Sequence, residues 1–209
     1  MRHHFGKTRN NDGGDTPLNI TLEQPSSSNS GDISHQDCNI QFYADIEDSS
    51  INTLIKLLKE KTFMCQGIQC QFDLPAPPNL HLHIQSYGGS IFSGIAAMEA
   101  IRNNPVPVIT YVDGMAASAA TFLSCVGKKR FMYKESVILI HQLSTGFYGK
   151  YSEMIDEMEN CKLLMKTIKS IYKQYTKLDE KTMNSLLKRD LYLDSKDCLK
   201  WGLVDEIIG

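Results

Sequence analysis

Residues 111–131 read YVDGMAASAATFLSCVGKKRF. They join the end of a β-branched run, PVITYVDG, to an apolar run, and small residues crowd the junction. The first run predicts a strand and AASAATFLSCVG predicts a helix. A single hydroxyl, Ser118, stands at the centre of the small residues. Such a junction is either a tight packing contact or a nucleophile presented on a turn.

The same alternation continues on both sides. Upstream, NIQFYADI predicts a short strand, and SSINTLIKLLKEK a helix with Ile51, Leu54, Ile55, Leu57 and Leu58 at helical spacing and Ser49 or Ser50 as N-cap. Residues 63–79 end in LPAPPN and read as an irregular excursion. LHLHIQS alternates with period two and predicts a strand. YGGS breaks it, IFSGIAAMEAIRNN predicts a helix, and Pro105 and Pro107 stop that helix. Downstream, KRFMYKESVILIHQLS holds one or two short strands. A long helix is expected from about Ser152 to Tyr175, and a second helical stretch over about 179–188. DSKDCLKWGLVDEIIG closes with a helix that Asp194 caps, a break at Gly202 and a short strand. Repeated strand–helix alternation predicts an α/β fold with a mostly parallel sheet.

Composition bounds the function. The chain has 209 residues, 42% hydrophobic and 22% charged, with a net charge of −2. That is one ordinary globular domain plus a tail, with no electrostatic reason to expect nucleic acid or an acidic membrane. No apolar run reaches the roughly 18 residues of a membrane span, and the N-terminus lacks the apolar core of a secretory signal. Residues 1–36, rich in Gly, Asn, Ser and Asp, read as a disordered polar tail, and residues 37–209 as the domain. The six cysteines form no C-x-x-C pair, so buried, reduced thiols are expected, in the cytoplasm or, alternatively, an organelle. His81 and His83 share a strand face without a third ligand, so no metal and no cofactor are expected. Lys128, Lys129 and Arg130 read as a solvated basic turn.

Ser118 needs a base to become a nucleophile. His141 ends the strand SVILIHQL, where its ring can face a cleft, and a carboxylate should hold the imidazole. Spacing leaves Asp190, Asp194 and Asp205 open for that role. Gly88 and Gly89 permit positive φ and expose backbone N–H groups at the end of a strand, which suits an oxyanion.

Taken together, GMAASAATFL, a strand ending ILIHQ, KRD, and SKDCLKWGLVDEI resemble the proteolytic subunit of the Clp protease over about residues 38–208. The resemblance implies a crotonase-like spiral of β-β-α units with a protruding handle helix. It implies a serine endopeptidase with Ser118 as nucleophile, His141 as base and Asp190 as the orienting carboxylate. The backbone N–H groups of Gly88 and Ala119 would be the oxyanion donors. It further implies homo-oligomeric rings, a double heptamer, that enclose a chamber for unfolded protein or peptide and are fed by an AAA+ ATPase. Met154, Met158, Cys161, Met165, Ile168, Tyr172 and Tyr175 form a heptad-like apolar stripe that suits a handle joining two rings.

The chain departs from the family pattern in four places. Ser86-Tyr87-Gly88-Gly89 stands where Ser-Pro-Gly-Gly is usual, and Ala119 stands where methionine usually follows the nucleophile. Backbone donors survive both changes, so cleavage specificity is affected more than activity. The excursion at 63–79 and the tail also differ, where an ATPase would dock. Two other readings share the scaffold: a non-catalytic ring subunit, and an acyl-CoA enzyme of the crotonase fold whose oxyanion hole stabilises an enolate.

Overall fold

The computed structural model describes residues 32–209. Within them lies a mixed α/β fold around a seven-stranded sheet. The strands are β1 (Asp32–Gln36), β2 (Asn39–Tyr43), β3 (Leu80–Ser86), β4 (Val108–Ala117), β5 (Lys129–Tyr133), β6 (Val137–Leu139) and β7 (Glu206–Ile208). Their order is β1-β2-β3-β4-β5-β7, with β6 pairing β4 off this path. Only β1 and β2 pair antiparallel, so the mostly parallel sheet expected from the sequence is present. The helices are α1 (Asp48–Gln71), α2 (Ile91–Arg102), α3 (Ala120–Cys125), α4 (Tyr151–Tyr175), α5 (Glu180–Leu186) and α6 (Ser195–Lys200). No helix among the described residues is long and apolar enough to cross a membrane.

Period-two patterning decides which strand face is covered. Leu80, Leu82 and Ile84 of β3 are fully buried and join Leu54 and Leu58 of α1, Ala97 and Ile101 of α2, and Leu123 of α3 in one core. His81 and His83 fall on the other face, where His81 Nδ1 meets Tyr111 Oη at 2.9 Å and His83 stacks on Tyr111. Among the described residues no three His, Cys, Asp or Glu side chains gather as metal ligands would.

Several expectations need correction, among them the N-cap of α1, which is Glu47 and not Ser49 or Ser50. The end of the polar tail, residues 32–36, forms β1: Asp37 turns the chain at φ 50° and Ser34 Oγ donates to Gln41 Oε1 at 2.7 Å. Residues 1–31 lie outside the described residues. The excursion begins only after Gln71, because α1 runs on through residues 63–71. Lys61, Thr62 and Cys65 continue its buried face, and the helix starts from Glu47, whose N–H is taken by Ser50 Oγ at 3.1 Å. Finally, β4 extends through Ala117 into what reads as helix, because Met115, Ala116 and Ala117 pair with Val137, Ile138 and Leu139 of β6.

The basic turn is not solvated at Arg130. Its guanidinium donates to the carbonyls of Tyr175 (2.6 Å) and Gly202 (2.9 Å), and it grips Asp205 through Nε at 2.9 Å and Nη2 at 2.5 Å. This clamp joins β5, the end of α4 and the approach to β7. Asp205→Ala leaves most of that buried charge without its counter-ion, and should cost on the order of 2 kcal/mol in chemical denaturation at neutral pH. The hydrogen bond from Arg130 holds the Asp205 carboxyl below its ordinary value of 3.8. The folded state therefore binds that proton more weakly than the unfolded chain. The contribution is fully present above that ordinary value and is lost as pH falls through the lower folded value. Asp205→Asn should flatten this part of the acid limb.

Candidate active site

Sheet register builds the site. With Ala117 opposite Leu139, the chain leaves β4 and β6 side by side. Ser118 N–H continues the ladder by donating to Leu139 O at 2.8 Å. Ser118 then adopts φ 54°, the left-handed region that a serine enters only at a cost of about 1 kcal/mol or more. That kink ends the strand, starts α3 and lifts the hydroxyl out of the sheet, in the manner of a nucleophile on a sharp strand-to-helix turn.

His141 follows β6 by two residues and lines the same cleft as Ser118, a cavity of about 310 Å³. Ala119, Phe122, Gly89 and Phe92 line it as well, and α4 supplies a wall through Glu157, Ile168 and Tyr172. No hydrogen bond joins Ser118 to His141 among the described residues.

A second pairing brings the carboxylate. Leu193 exchanges both backbone hydrogen bonds with Ile138, at 2.7 and 3.1 Å, and Gln142 N–H donates to Leu187 O at 2.7 Å. The 187–193 segment is thereby clamped along the His141 strand, with Asp190 between the two anchors. Asp190 Oδ1 lies 3.9 Å from His141 Nδ1, an ion-pair separation rather than a hydrogen bond. The imidazole is 24% exposed and the carboxylate 84%, so solvent reaches this contact from the carboxylate side.

The other two carboxylates are occupied elsewhere. Asp194 caps α6, accepting from the Asp197 N–H at 2.8 Å, and Asp205 is held by Arg130.

The glycine turn sits directly against Ser118. Gly88 has φ 96°, and a Cβ placed there would lie 2.7 Å from both Ala117 O and Ser118 Cβ, and 3.3 Å from Ala119 N. Gly88 and Ala119 thus flank one point beside Ser118. The Ala119 N–H has no acceptor among the described residues, whereas the Gly88 N–H donates to Ser86 Oγ at a long 3.2 Å. Gly88 O accepts from Ile46 N–H at 2.7 Å, which pins the turn to the entry of α1. Tyr87, beside this turn, is exposed.

Sequence reasoning missed Thr121 and Tyr172. Thr121 Oγ1 donates to Ser118 O at 2.6 Å and meets Tyr172 Oη at 2.6 Å. Tyr172 falls in the apolar stripe of α4, and Thr121 lies in α3, whose residues are all buried, so neither stands out from the core.

The sequence profile of the Clp protease family matches residues 75–209. The chain belongs to the Clp protease family. It is 31% identical over 151 residues to an ATP-dependent Clp protease proteolytic subunit of Deinococcus radiodurans, across 69% of this chain and 74% of that one. It is 34% identical over 126 residues to an ATP-dependent Clp protease proteolytic subunit of Pleurastrum terricola, across 59% of this chain and 64% of that one. The resemblance carried by GMAASAATFL, ILIHQ and SKDCLKWGLVDEI is therefore borne out at the level of family. Residues 1–74, including the tail and all of α1, fall outside the profile match.

Proposed function

We propose that this Clp-family chain is a serine endopeptidase subunit, its domain starting at β1 with the spiral architecture of the crotonase type. Ser118 attacks the peptide carbonyl, and His141 takes its proton and returns it to the leaving amine. Asp190 faces Nδ1, which leaves Nε2 for the serine and selects that tautomer. The Ala119 N–H, and the Gly88 N–H once its long bond to Ser86 yields, receive the oxyanion. The observation that carries this reading is the kinked Ser118 and His141 on one cleft, with Asp190 3.9 Å from the ring's Nδ1. Catalytic hydrogen bonds are commonly long before substrate binds, so the open spacing is compatible with activity.

Assembly into stacked rings, fed by an AAA+ ATPase with unfolded chains, is part of the same proposal. It is supported by α4, whose stripe divides in two. Ile168 and Tyr172 are buried, Cys161 and Met165 are half-buried, and Met154 and Met158 toward its start are exposed. Two exposed methionines one turn apart, on a half-helix whose residues are nearly all exposed, suit a second copy of itself. Met154→Glu with Met158→Glu should halve the particle mass measured by light scattering. An unchanged mass would assign ring stacking to another surface.

Fluorophosphonate labelling of the assembled fraction, with the modified peptide located by mass spectrometry, tests the chemistry. Label on Ser118 that disappears in His141→Ala is the expected result. An assembled but unlabelled protein would favour the second reading, a non-catalytic ring subunit. That reading draws on the 3.9 Å gap at the well-exposed Asp190.

A further inference from the structure

The peptide between Ser118 and Ala119 is held from behind. Thr121 Oγ1 donates to Ser118 O at 2.6 Å, and the Thr121 N–H reaches the same oxygen at 3.0 Å. Thr121 is fully buried, and Tyr172 of α4, also buried, places its hydroxyl 2.6 Å from Thr121 Oγ1. The threonine proton is already used on Ser118, so the hydrogen in the outer bond comes from Tyr172. Burial pushes the Tyr172 phenol well up, which keeps that proton in place. A directed chain results: Tyr172 to Thr121 to the Ser118 carbonyl.

In a trans peptide the C=O and N–H bonds lie in one plane and point in opposite directions. Anchoring Ser118 O toward the buried Thr121 therefore turns the Ala119 N–H the other way, to the side on which Gly88 lies. That N–H has no acceptor among the described residues. Hydrogen bonds to the carbonyl also draw electron density from the amide nitrogen, and a chained donor strengthens each bond by about 10–30%.

We infer that Thr121 and Tyr172 are positioning residues that aim and polarise the Ala119 N–H as an oxyanion donor. The inference rests on the peptidase reading above. It adds a role for α4: the seating of this helix reaches the reacting atoms through one buried hydroxyl pair.

The test uses the assembled full chain and a fluorogenic peptide, with active sites counted by fluorophosphonate. Thr121→Val, which keeps the shape and removes the hydroxyl, should lower kcat about 10- to 100-fold with KM within about twofold. Thr121→Ser should recover kcat to within about threefold. Tyr172→Phe should lower kcat about 3- to 10-fold and add nothing to Thr121→Val, because it acts through that hydroxyl. Affinity for a peptidyl boronate, whose tetrahedral adduct occupies the oxyanion position, should fall in step with kcat.

A packing role would instead lower thermal stability and active-site count while leaving kcat per labelled site unchanged. Wild-type kcat in Thr121→Val overturns the inference, as does full additivity of the two losses. If Thr121→Val does not assemble, Tyr172→Phe, which loses one oxygen atom, is read on the same kcat-against-KM split. A wild-type ring that neither labels nor hydrolyses peptide removes the peptidase reading, and this inference with it.

Discussion

Ser118→Ala, assembled and folded, is expected to hydrolyse peptide about 10⁴- to 10⁶-fold more slowly than the wild-type protein, as read by steady-state release of a fluorogenic leaving group. The size follows from what is removed. Without the hydroxyl, no covalent intermediate forms, and only water polarised by the remaining donors can attack. His141→Ala should cost about as much, and the double variant no more than either alone, since the pair acts as a unit. Wild-type turnover in Ser118→Ala would place the nucleophile elsewhere. Stability should move the other way for Ser118→Gly. With φ 54° the serine backbone is strained, and glycine relieves about 1 kcal/mol of it, less its own entropy cost. Inactivity together with an undiminished melting temperature would mark the strain as belonging to function.

Gly88→Ala is expected to produce the second large effect, on activity and stability together. The new methyl would fall 2.7 Å from Ala117 O and from Ser118 Cβ, and φ 96° is a conformation that alanine rarely adopts. Neither obstacle is the tip of a flexible side chain, so the turn or the nucleophile must shift. Displacement of a few tenths of an ångström misaligns Ser118 with the Ala119 N–H, for a loss of about 10²-fold or more in kcat. The backbone conflict should cost on the order of 3 kcal/mol in denaturant unfolding. Gly89→Ala is an informative companion. Its methyl would meet Ile46 O at 2.3 Å, at the entry to α1 and away from Ser118, so stability should fall more than activity per folded site. Equal kcat in Gly88→Ala and the wild type would show that this turn takes no part in the reaction.

The sheet's plan was legible because its signals are local. LHLHIQS alternates strictly, and the structure buries Leu80, Leu82 and Ile84 while turning His81 and His83 to the other face. Asp194 before Ser195 reads as a cap and accepts the Asp197 N–H. The crowd of small residues around Ser118 marked a close approach, and the approach is by Gly88. The third member of the candidate triad was not legible. Asp190, Asp194 and Asp205 are all acidic residues near helix or strand ends, and spacing cannot rank them. Pairing of Leu193 with Ile138 and of Gln142 with Leu187 brings Asp190 to His141, while Arg130 takes Asp205.

Local periodicity and composition were sufficient for the α/β class, the order of the elements from β2 onward and the turn that presents Ser118. Such features follow from dihedral preference and from which side of an element must leave water, and both are written in neighbouring residues. Tertiary pairing alone decided where β4 ends, how Arg130 is used, which carboxylate meets His141, and that Tyr172 reaches Thr121 behind Ser118. Each of these is a hydrogen bond or ion pair between segments roughly 20 to 75 residues apart in the chain. The energy of such a contact depends on the geometry of two elements at once, and no window along a single segment contains both.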